Sequence, residues 1–152
     1  MSPSPAAAVQ IPNAASTPAR NAVLPQRILI IEDGCVLAKN MKTYLSCDSC
    51  EVRTACDATQ ALQMLESFAP DALVLDFALP DFDGLQTYAE IVRRQARKID
   101  GVMITGDPNE QLAQDARQLG INHVIGKPFR FSELRQVLET RAEPDAALAE
   151  LA

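Results

Sequence analysis

From Arg27 onward, short apolar runs alternate with longer stretches in which apolar residues recur at every third or fourth position. The short runs are rich in β-branched and aliphatic residues, as in strands that are buried on both faces of a sheet. We predict strands at 28–31, 51–55, 72–75, 102–104 and 123–125. Because a stretch with helical spacing follows each run, the pattern indicates an α/β fold built around a parallel sheet.

The stretches after the strands predict five helices, each with one apolar stripe. The stripes are Leu37, Met41 and Leu45; Ala58, Ala61, Leu62, Leu65 and Phe68; Leu85, Tyr88, Ile91 and Val92; Leu112, Ala116 and Leu119; and Leu134, Val137 and Leu138. We expect the second helix to end before Pro70, the fourth before Gly120 and the last near Arg141.

The two ends of the chain differ in composition from the stretch between them. Residues 1–25 hold five prolines, many alanines and one charged side chain, which predicts a disordered Pro/Ala-rich extension. Residues 142–152 form an acidic, Ala-rich tail that is too short for an output domain. A chain of 152 residues is the size of one ordinary domain, which we place at residues 26–141.

The charge balance excludes some classes of partner. Acidic residues outnumber basic ones by 20 to 14, and the formal charge of -6 disfavours phosphate backbones and anionic bilayers. We therefore expect neither nucleic acid nor a membrane as a partner. Every apolar run is far shorter than the roughly 20 residues of a membrane helix, and prolines interrupt the segment where a secretory signal would lie. The chain is predicted to be cytoplasmic.

Two of the four cysteines, Cys47 and Cys50, have the spacing of a redox or zinc pair. His123 is the only histidine in the sequence, and no second close pair of cysteines is present. Because a cytoplasmic setting keeps thiols reduced, ordinary buried or loop thiols are the favoured interpretation.

Reactive side chains follow four of the five predicted strands. Glu32 and Asp33 follow the first, Asp76 the third, Thr105 the fourth and Lys127 the fifth. The carboxyl ends of parallel strands lie at one edge of the sheet, where ligands bind in such folds. Taken singly, these residues have ordinary interpretations as helix caps, turn residues or solvated charges.

Together, however, the three carboxylates would repel one another at adjacent strand ends, and a bound cation is a usual remedy. Oxygen ligands favour a hard divalent cation, for which Mg²⁺ is the natural candidate. A cation and a lysine beside one carboxylate suit phosphoryl transfer, because both neutralise charge that develops on the phosphoryl oxygens.

Four segments resemble the receiver domains of two-component response regulators in order and spacing. They are Glu32-Asp33, Asp76-Phe-Ala-Leu-Pro-Asp-Phe-Asp-Gly84, Thr105-Gly and Lys127-Pro-Phe129. The resemblance covers about residues 27–141, most of the chain. It implies a doubly wound, flavodoxin-like sheet of five parallel strands in the order 2-1-3-4-5, the order quoted generally for this fold.

The resemblance also assigns roles to individual residues. Asp76 would be the phosphoacceptor, with Thr105 and Lys127 contacting the phosphoryl group. Mg²⁺ would be bound by Glu32, Asp33, Asp76 and the backbone carbonyl of Ala78. The Lys127-Pro128 peptide is similar to one that is cis in the family.

The family further implies partners and a mode of action. The donor would be a histidine kinase or a histidine phosphotransfer protein, and the signal would pass to a downstream protein by conformational change; a homodimer is left open. The only catalysis expected is self-catalysed phosphorylation and dephosphorylation of the aspartate, so the chain is not expected to be an enzyme.

The sequence departs from the family at four positions near the site, the first of which is Gly34, where another polar residue is common. Val124 stands where an aromatic residue usually reports the phosphorylation state, so the usual relay is expected to be absent or rerouted. Ala78 and Asp107 occupy positions along the path of the hydrolytic water, which leaves the phosphoryl lifetime open.

The sequence fits three other functions less well. An aspartate-nucleophile phosphatase would need a second acid where this chain has Ala78, and a flavin or nucleotide binder would not place Glu32 and Asp33 beside a phosphate. The alternative is a degenerate receiver that binds proteins without phosphorylation, but such a chain should lack one of the site residues.

Overall fold

The computed structural model describes residues 23–139. The tail predicted at 142–152 and all but the last three residues of the extension predicted at 1–25 lie outside this range. The elements are β1 Arg27–Ile31, α1 Cys35–Leu45, β2 Glu51–Ala55, α2 Ala58–Met64, β3 Ala72–Asp76, α3 Gly84–Gln95, β4 Asp100–Thr105, α4 Glu110–Leu119, β5 His123–Gly126 and α5 Phe131–Glu139.

All five strands pair in parallel, in the order β2-β1-β3-β4-β5. The predicted fold class and strand order are therefore confirmed. The order places β1 beside β3, with Ile31 opposite Leu75, so that the acidic residues after both strands lie next to each other. The carboxyl ends of β4 and β5 also meet, since Thr105 pairs with Gly126.

Helices cover both faces of the sheet, which explains why the strands read as continuous apolar runs. On one face, Leu29 and Leu73 pack with residues of α2, α3 and α4. On the other face, Ile28 and Ile30 pack with residues of α1 and α5. Leu24 packs against this second cluster, so the core extends to a residue before β1.

Helix α2 is shorter than the sequence predicts. It ends at Met64, and the amides of Leu65, Glu66 and Ser67 each donate to the carbonyl three residues earlier. Such bonds tighten the end of a helix into a narrower turn. This turn still places Phe68 in the core, where the side chain is 3% exposed.

The prediction that Leu119 belongs to the buried stripe of α4 is wrong, because this side chain is 41% exposed. Gly120 ends the helix with a φ of 103°, and the amide of Ile121 then donates to the carbonyl of Ala116. This left-handed ending turns the chain back onto the helix. Ile121, which is fully buried, packs with Ala116 in the core, whereas Leu119 does not.

The predicted end of α5 near Arg141 lies outside the described residues, which contain α5 as far as Glu139. No helix within residues 23–139 is long and apolar enough to cross a bilayer.

Candidate functional site at the carboxyl edge of the sheet

Two acidic side chains at the carboxyl edge are held by the backbone of the central strands. Glu32 directly follows β1, and its amide donates to the carbonyl of Ala55 at the end of β2, at 3.0 Å. Asp76 is the last residue of β3 and pairs with Ile104 of β4. Both are almost fully buried, at 4% and 6% exposure.

The three predicted carboxylates come together. Ligand oxygens of Glu32, Asp33 and Asp76 all lie within 4.8 Å of one another. Asp33 differs from the other two because it is exposed to solvent. The cluster therefore has a buried floor of two carboxylates and one acidic group at its open side.

Lys127 neutralises part of this negative charge. Its Nζ lies 3.0 Å from Oδ2 of Asp76 and 3.4 Å from Oε1 of Glu32. The backbone fixes this residue beside the end of β4, since the Lys127 amide donates to the carbonyl of Thr105 at 2.7 Å. The Lys127-Pro128 peptide is cis, as the resemblance implied.

The electrostatics of Glu32 and Lys127 reflect this crowding. Burial raises the pKa of Glu32, and the charge of Asp76 adds to the rise, while the Gly34 amide and Lys127 oppose it. Partial burial works against the charged form of Lys127, but its hydrogen bond to Asp76 and the charge of Glu32 prevail and raise its pKa. A proton or a cation at the cluster is thus favoured over unpaired buried charge.

Asp76 has a hydrogen-bond donor on each carboxylate oxygen. The amide of Ala78 donates to Oδ1 at 3.1 Å, and Lys127 donates to Oδ2 at 3.0 Å. These two contacts fix the orientation of the carboxylate. Ala78 is itself held by a bridge to Asp83 across the loop after β3.

Thr105 is 4% exposed at the end of the neighbouring strand β4. Its Oγ1 accepts a hydrogen bond from the amide of Asp107 at 3.1 Å. In this structure the hydroxyl therefore holds the loop that leads to α4, while its strand position sets it beside the end of β3.

Gly84 lets α3 begin directly against the site. A Cβ at this position would lie 2.6 Å from Sδ of Met103 and 2.7 Å from the carbonyl oxygen of Asp76, closer than side chains tolerate. The Gly84 amide donates to the carbonyl of Phe77 at 2.7 Å. The close approach explains why the motif after β3 ends in glycine.

Asp81 is a structural residue of this loop that the sequence did not reveal. Its carboxylate accepts from the amides of Ala58 and Thr59, each at 3.0 Å, and from the Thr59 hydroxyl at 2.7 Å. It thereby ties the loop after β3 to the first turn of α2. The partners lie 22 and 23 residues away, a separation at which local spacing gives no signal.

The donor set fits the predicted metal. Three carboxylates provide only oxygen atoms, which suits a hard divalent cation such as Mg²⁺, and the open side at Asp33 leaves room for water and phosphate ligands. Within residues 23–139 this is the one group of acidic, cysteine or histidine side chains clustered closely enough to hold a metal.

The fold and the site together define a class of protein. The response regulator receiver domain family matches residues 28–139, about three quarters of the chain. The chain belongs to this family, and it is a receiver domain of the two-component type.

Individual proteins support the same class. The chain is similar to the transcriptional regulatory protein KdpE of Staphylococcus aureus, with 38% identity over 112 residues, or 74% of this chain and 48% of that protein. It is 29% identical to the transcriptional regulatory protein PdtaR of Mycobacterium tuberculosis, covering 78% of this chain and 58% of the other. The chain thus spans about half the length of these relatives.

Among solved structures, the chain resembles the non-phosphorylated receiver domain of HemR from Leptospira biflexa. The TM-score is 0.68 at 28% identity, and the match covers 78% of this chain and 97% of that domain. The likeness extends over nearly the whole of an isolated receiver domain.

Proposed function

We propose that this chain receives a phosphoryl group on Asp76 from the phospho-histidine of a histidine kinase or a histidine phosphotransfer protein. One observation carries the proposal: Asp76 is a buried carboxylate that contacts Lys127 and shares a cluster with two further acids. Signalling then consists of a conformational change that a downstream protein reads.

The chemistry follows from the contacts of Asp76. An oxygen of its carboxylate attacks phosphorus, a P–O bond forms, the P–N bond to the donor imidazole breaks, and the imidazole leaves. Lys127 is positioned to neutralise negative charge on the phosphoryl oxygens, and Thr105 can donate its hydroxyl proton to one of them. The Ala78 amide, which donates to Oδ1, orients the nucleophile.

Mg²⁺ fits the same arrangement, held by Glu32, Asp33, Asp76 and the backbone carbonyl of Ala78. When bound, it would neutralise the charge of the carboxylates and of the incoming phosphoryl group. Without it, Lys127 alone balances two buried acids. We therefore propose that phosphorylation depends on the cation.

The wider setting is part of the proposal. The chain acts as a signalling protein in the cytoplasm, and its catalysis is restricted to its own aspartyl group. The acidic balance of 20 to 14 disfavours a nucleic acid as a direct partner of this domain. The relatives' names describe transcriptional regulators that extend well beyond the matched region, so a nucleic-acid role of a longer protein is compatible with this proposal.

Incubation with Mg²⁺ and acetyl phosphate, followed by intact mass measurement, tests the function. We expect one phosphoryl group on the parent chain and none on Asp76→Asn. The matched control is Glu110→Gln, which removes an exposed carboxyl in the first turn of α4, outside the acidic cluster, and should leave labelling intact.

Chelation of the metal should abolish labelling of the parent, and Lys127→Ala should lower its extent. A label retained on Asp76→Asn would contradict the assignment of the acceptor. Absence of label with acetyl phosphate and with phospho-histidine proteins would favour the degenerate receiver instead.

A further inference from the structure

The turn that joins α1 to β2 brings two cysteines together at the edge of the sheet opposite the acidic cluster. It consists of Cys47, Asp48, Ser49 and Cys50, directly before β2. The amide of Cys50 donates to the carbonyl of Cys47 at 3.2 Å, and the two residues pair in an antiparallel bridge.

This pairing matches the spacing that a disulfide needs. Residues paired across an antiparallel bridge have Cα atoms roughly 4.5–5.5 Å apart. Disulfides span about 4.4–6.8 Å between Cα atoms, so the backbone need not move far for the sulfurs to bond. Both thiols are reduced in the structure.

The two thiols occupy different environments. Cys47 is exposed, and its Sγ lies 3.7 Å from Oγ of Ser49. Cys50 is buried, and its thiol donates to the carbonyl of Leu45, the last residue of α1, at 3.3 Å. The Cys47 sulfur is therefore accessible to a reagent, whereas the Cys50 sulfur is shielded from solvent.

The pKa values of the two thiols also differ, and the exposed thiol is the more acidic one. The interaction with Ser49 lowers the pKa of Cys47, and smaller contributions come from the Cys50 thiol and from Arg135 of α5. Burial raises the pKa of Cys50 to about 11, and the neighbouring Cys47 adds to this. Since the thiolate is the nucleophile, Cys47 is the sulfur that reacts first.

We propose that Cys47 and Cys50 form a modification site that reacts with a hydroperoxide, with Cys47 as the attacking sulfur and Cys50 as the resolving sulfur. The Cys47 thiolate attacks one peroxide oxygen, the O–O bond breaks, and Cys47 becomes a sulfenic acid while the other oxygen leaves after protonation, as water from hydrogen peroxide or as an alcohol from an organic hydroperoxide. The Cys50 sulfur then attacks the Cys47 sulfur, and the sulfenic hydroxyl leaves with the Cys50 proton as water.

Oxidation changes the local structure in a defined way. The new S–S bond removes the hydrogen that Cys50 donates to Leu45, so the last turn of α1 loses this contact. The bond also closes a small ring between α1 and β2. In a reducing compartment such a bond is transient and responds to the oxidant. This site is independent of phosphorylation on Asp76.

The experiment uses the full chain with Cys35→Ser and Cys56→Ser, which removes the two other thiols, both exposed. The reduced protein is treated with a stoichiometric amount of hydrogen peroxide and then alkylated. We expect a mass loss of about 2 Da and no alkylation, with return of both alkylated thiols after dithiothreitol. Two alkylated thiols after peroxide, or a mass gain without the loss of two hydrogens, would overturn the proposal.

Single variants separate the roles of the two sulfurs. In Cys50→Ser, Cys47 should stop at the sulfenic acid, seen as a gain of about 16 Da that a dimedone probe traps. In Cys47→Ser, the buried Cys50 should react at least tenfold more slowly than Cys47 does. Equal rates for the two sulfurs would contradict their assignment. Cys50→Ala replaces Cys50→Ser if the polar substitution in the buried position unfolds the chain.

Discussion

At the scale of single residues, the three acids of the site are not equivalent. Glu32 and Asp76 are buried and share Lys127, whereas Asp33 is exposed at the open side. Burial strengthens charge interactions because water no longer screens them. We therefore expect the buried pair to set most of the electrostatic cost of the site, and Asp33 to add a further cation ligand whose charge costs little to keep in the folded state.

This difference leads to a prediction for Asp33→Asn. The variant should melt slightly higher than the parent without metal, because one negative charge leaves the cluster, although solvent limits the gain. Magnesium should stabilise it less, since a bound cation stabilises only the folded state and each tenfold loss of affinity removes about 1.4 kcal/mol. Thermal melts with and without Mg²⁺ measure both effects.

The control for Asp33→Asn is Asp107→Asn, another exposed carboxyl at the same edge that lies outside the cluster. It should keep the full magnesium effect. Equal stabilisation by Mg²⁺ in Asp33→Asn and in the parent would remove Asp33 from the metal site.

At the scale of helices and strands, the sequence predicts those features that depend on neighbouring residues, such as where a strand begins and ends. Strand β2 has both of its predicted ends, because the turn-forming residues Asp48 and Ser49 precede it and Asp57 follows it. The burial of Ile121 in place of Leu119 depends on a left-handed turn at Gly120, which hydrophobic spacing does not report. Contacts between distant segments, such as Asp81 with α2, are equally invisible in a local pattern.

The same limit applies to the candidate site. The strand ends place Glu32, Asp76 and Lys127 at one edge, and this follows from the pattern of strands and helices alone. That Lys127 bonds directly to two of the acids depends on side-chain rotamers and burial, which no spacing in the sequence encodes.

Asp81 provides a prediction at this scale, because it joins the loop after β3 to the first turn of α2. Asp81→Ala should lower the melting temperature by a few degrees near neutral pH and speed amide exchange at Ala58 and Thr59, which lose their acceptor. Asp81→Asn keeps one acceptor oxygen and should fall between parent and alanine variant. Unchanged exchange at both amides in Asp81→Ala would contradict this role.

The effect of Asp81 should also depend on pH. Slight burial disfavours its charge, but the hydrogen bonds from Thr59 and Ala58 prevail and lower its pKa to about 2, from an ordinary value of 3.8. A lowered pKa means that the stability is present above the ordinary value and is lost as the pH falls towards about 2. The difference in melting temperature between parent and Asp81→Ala should therefore shrink between about pH 4 and pH 2.

At the scale of the whole molecule, the site is connected to α4 by a short chain of hydrogen bonds. The Thr105 hydroxyl accepts from the Asp107 amide, and the carbonyl of Asp107 accepts from the Asn109 side chain, which caps α4 through the amide of Leu112. Leu112 and Ala116 are the buried residues of this 10-residue helix, so it is weakly anchored. If Thr105 shifted towards a phosphoryl group, the loop between β4 and α4 would therefore be the first segment to move.

Val124 does not provide a comparable connection between the site and the rest of the molecule. It is half-buried and lines an open groove of about 340 Å³ between α4, β5 and α5. Its β-branched side chain has few χ1 states and is too short to fill or vacate that space. We therefore expect the packing around Val124 to transmit little of a conformational change from the site.

Given the proposed phosphorylation of Asp76, amide hydrogen exchange should change most between Gly106 and Leu119, while the Val124 side chain stays in place. Val124→Ala should cost about 1 kcal/mol of stability at this half-buried position and leave both the labelling and the exchange response nearly intact. As a matched comparison, Thr105→Ser keeps the hydroxyl and should retain the response, whereas Thr105→Ala should weaken it because the Asp107 amide loses its acceptor. Methyl NMR that showed Val124 changing rotamer on phosphorylation, together with loss of the α4 response in Val124→Ala, would show instead that the signal runs through β5.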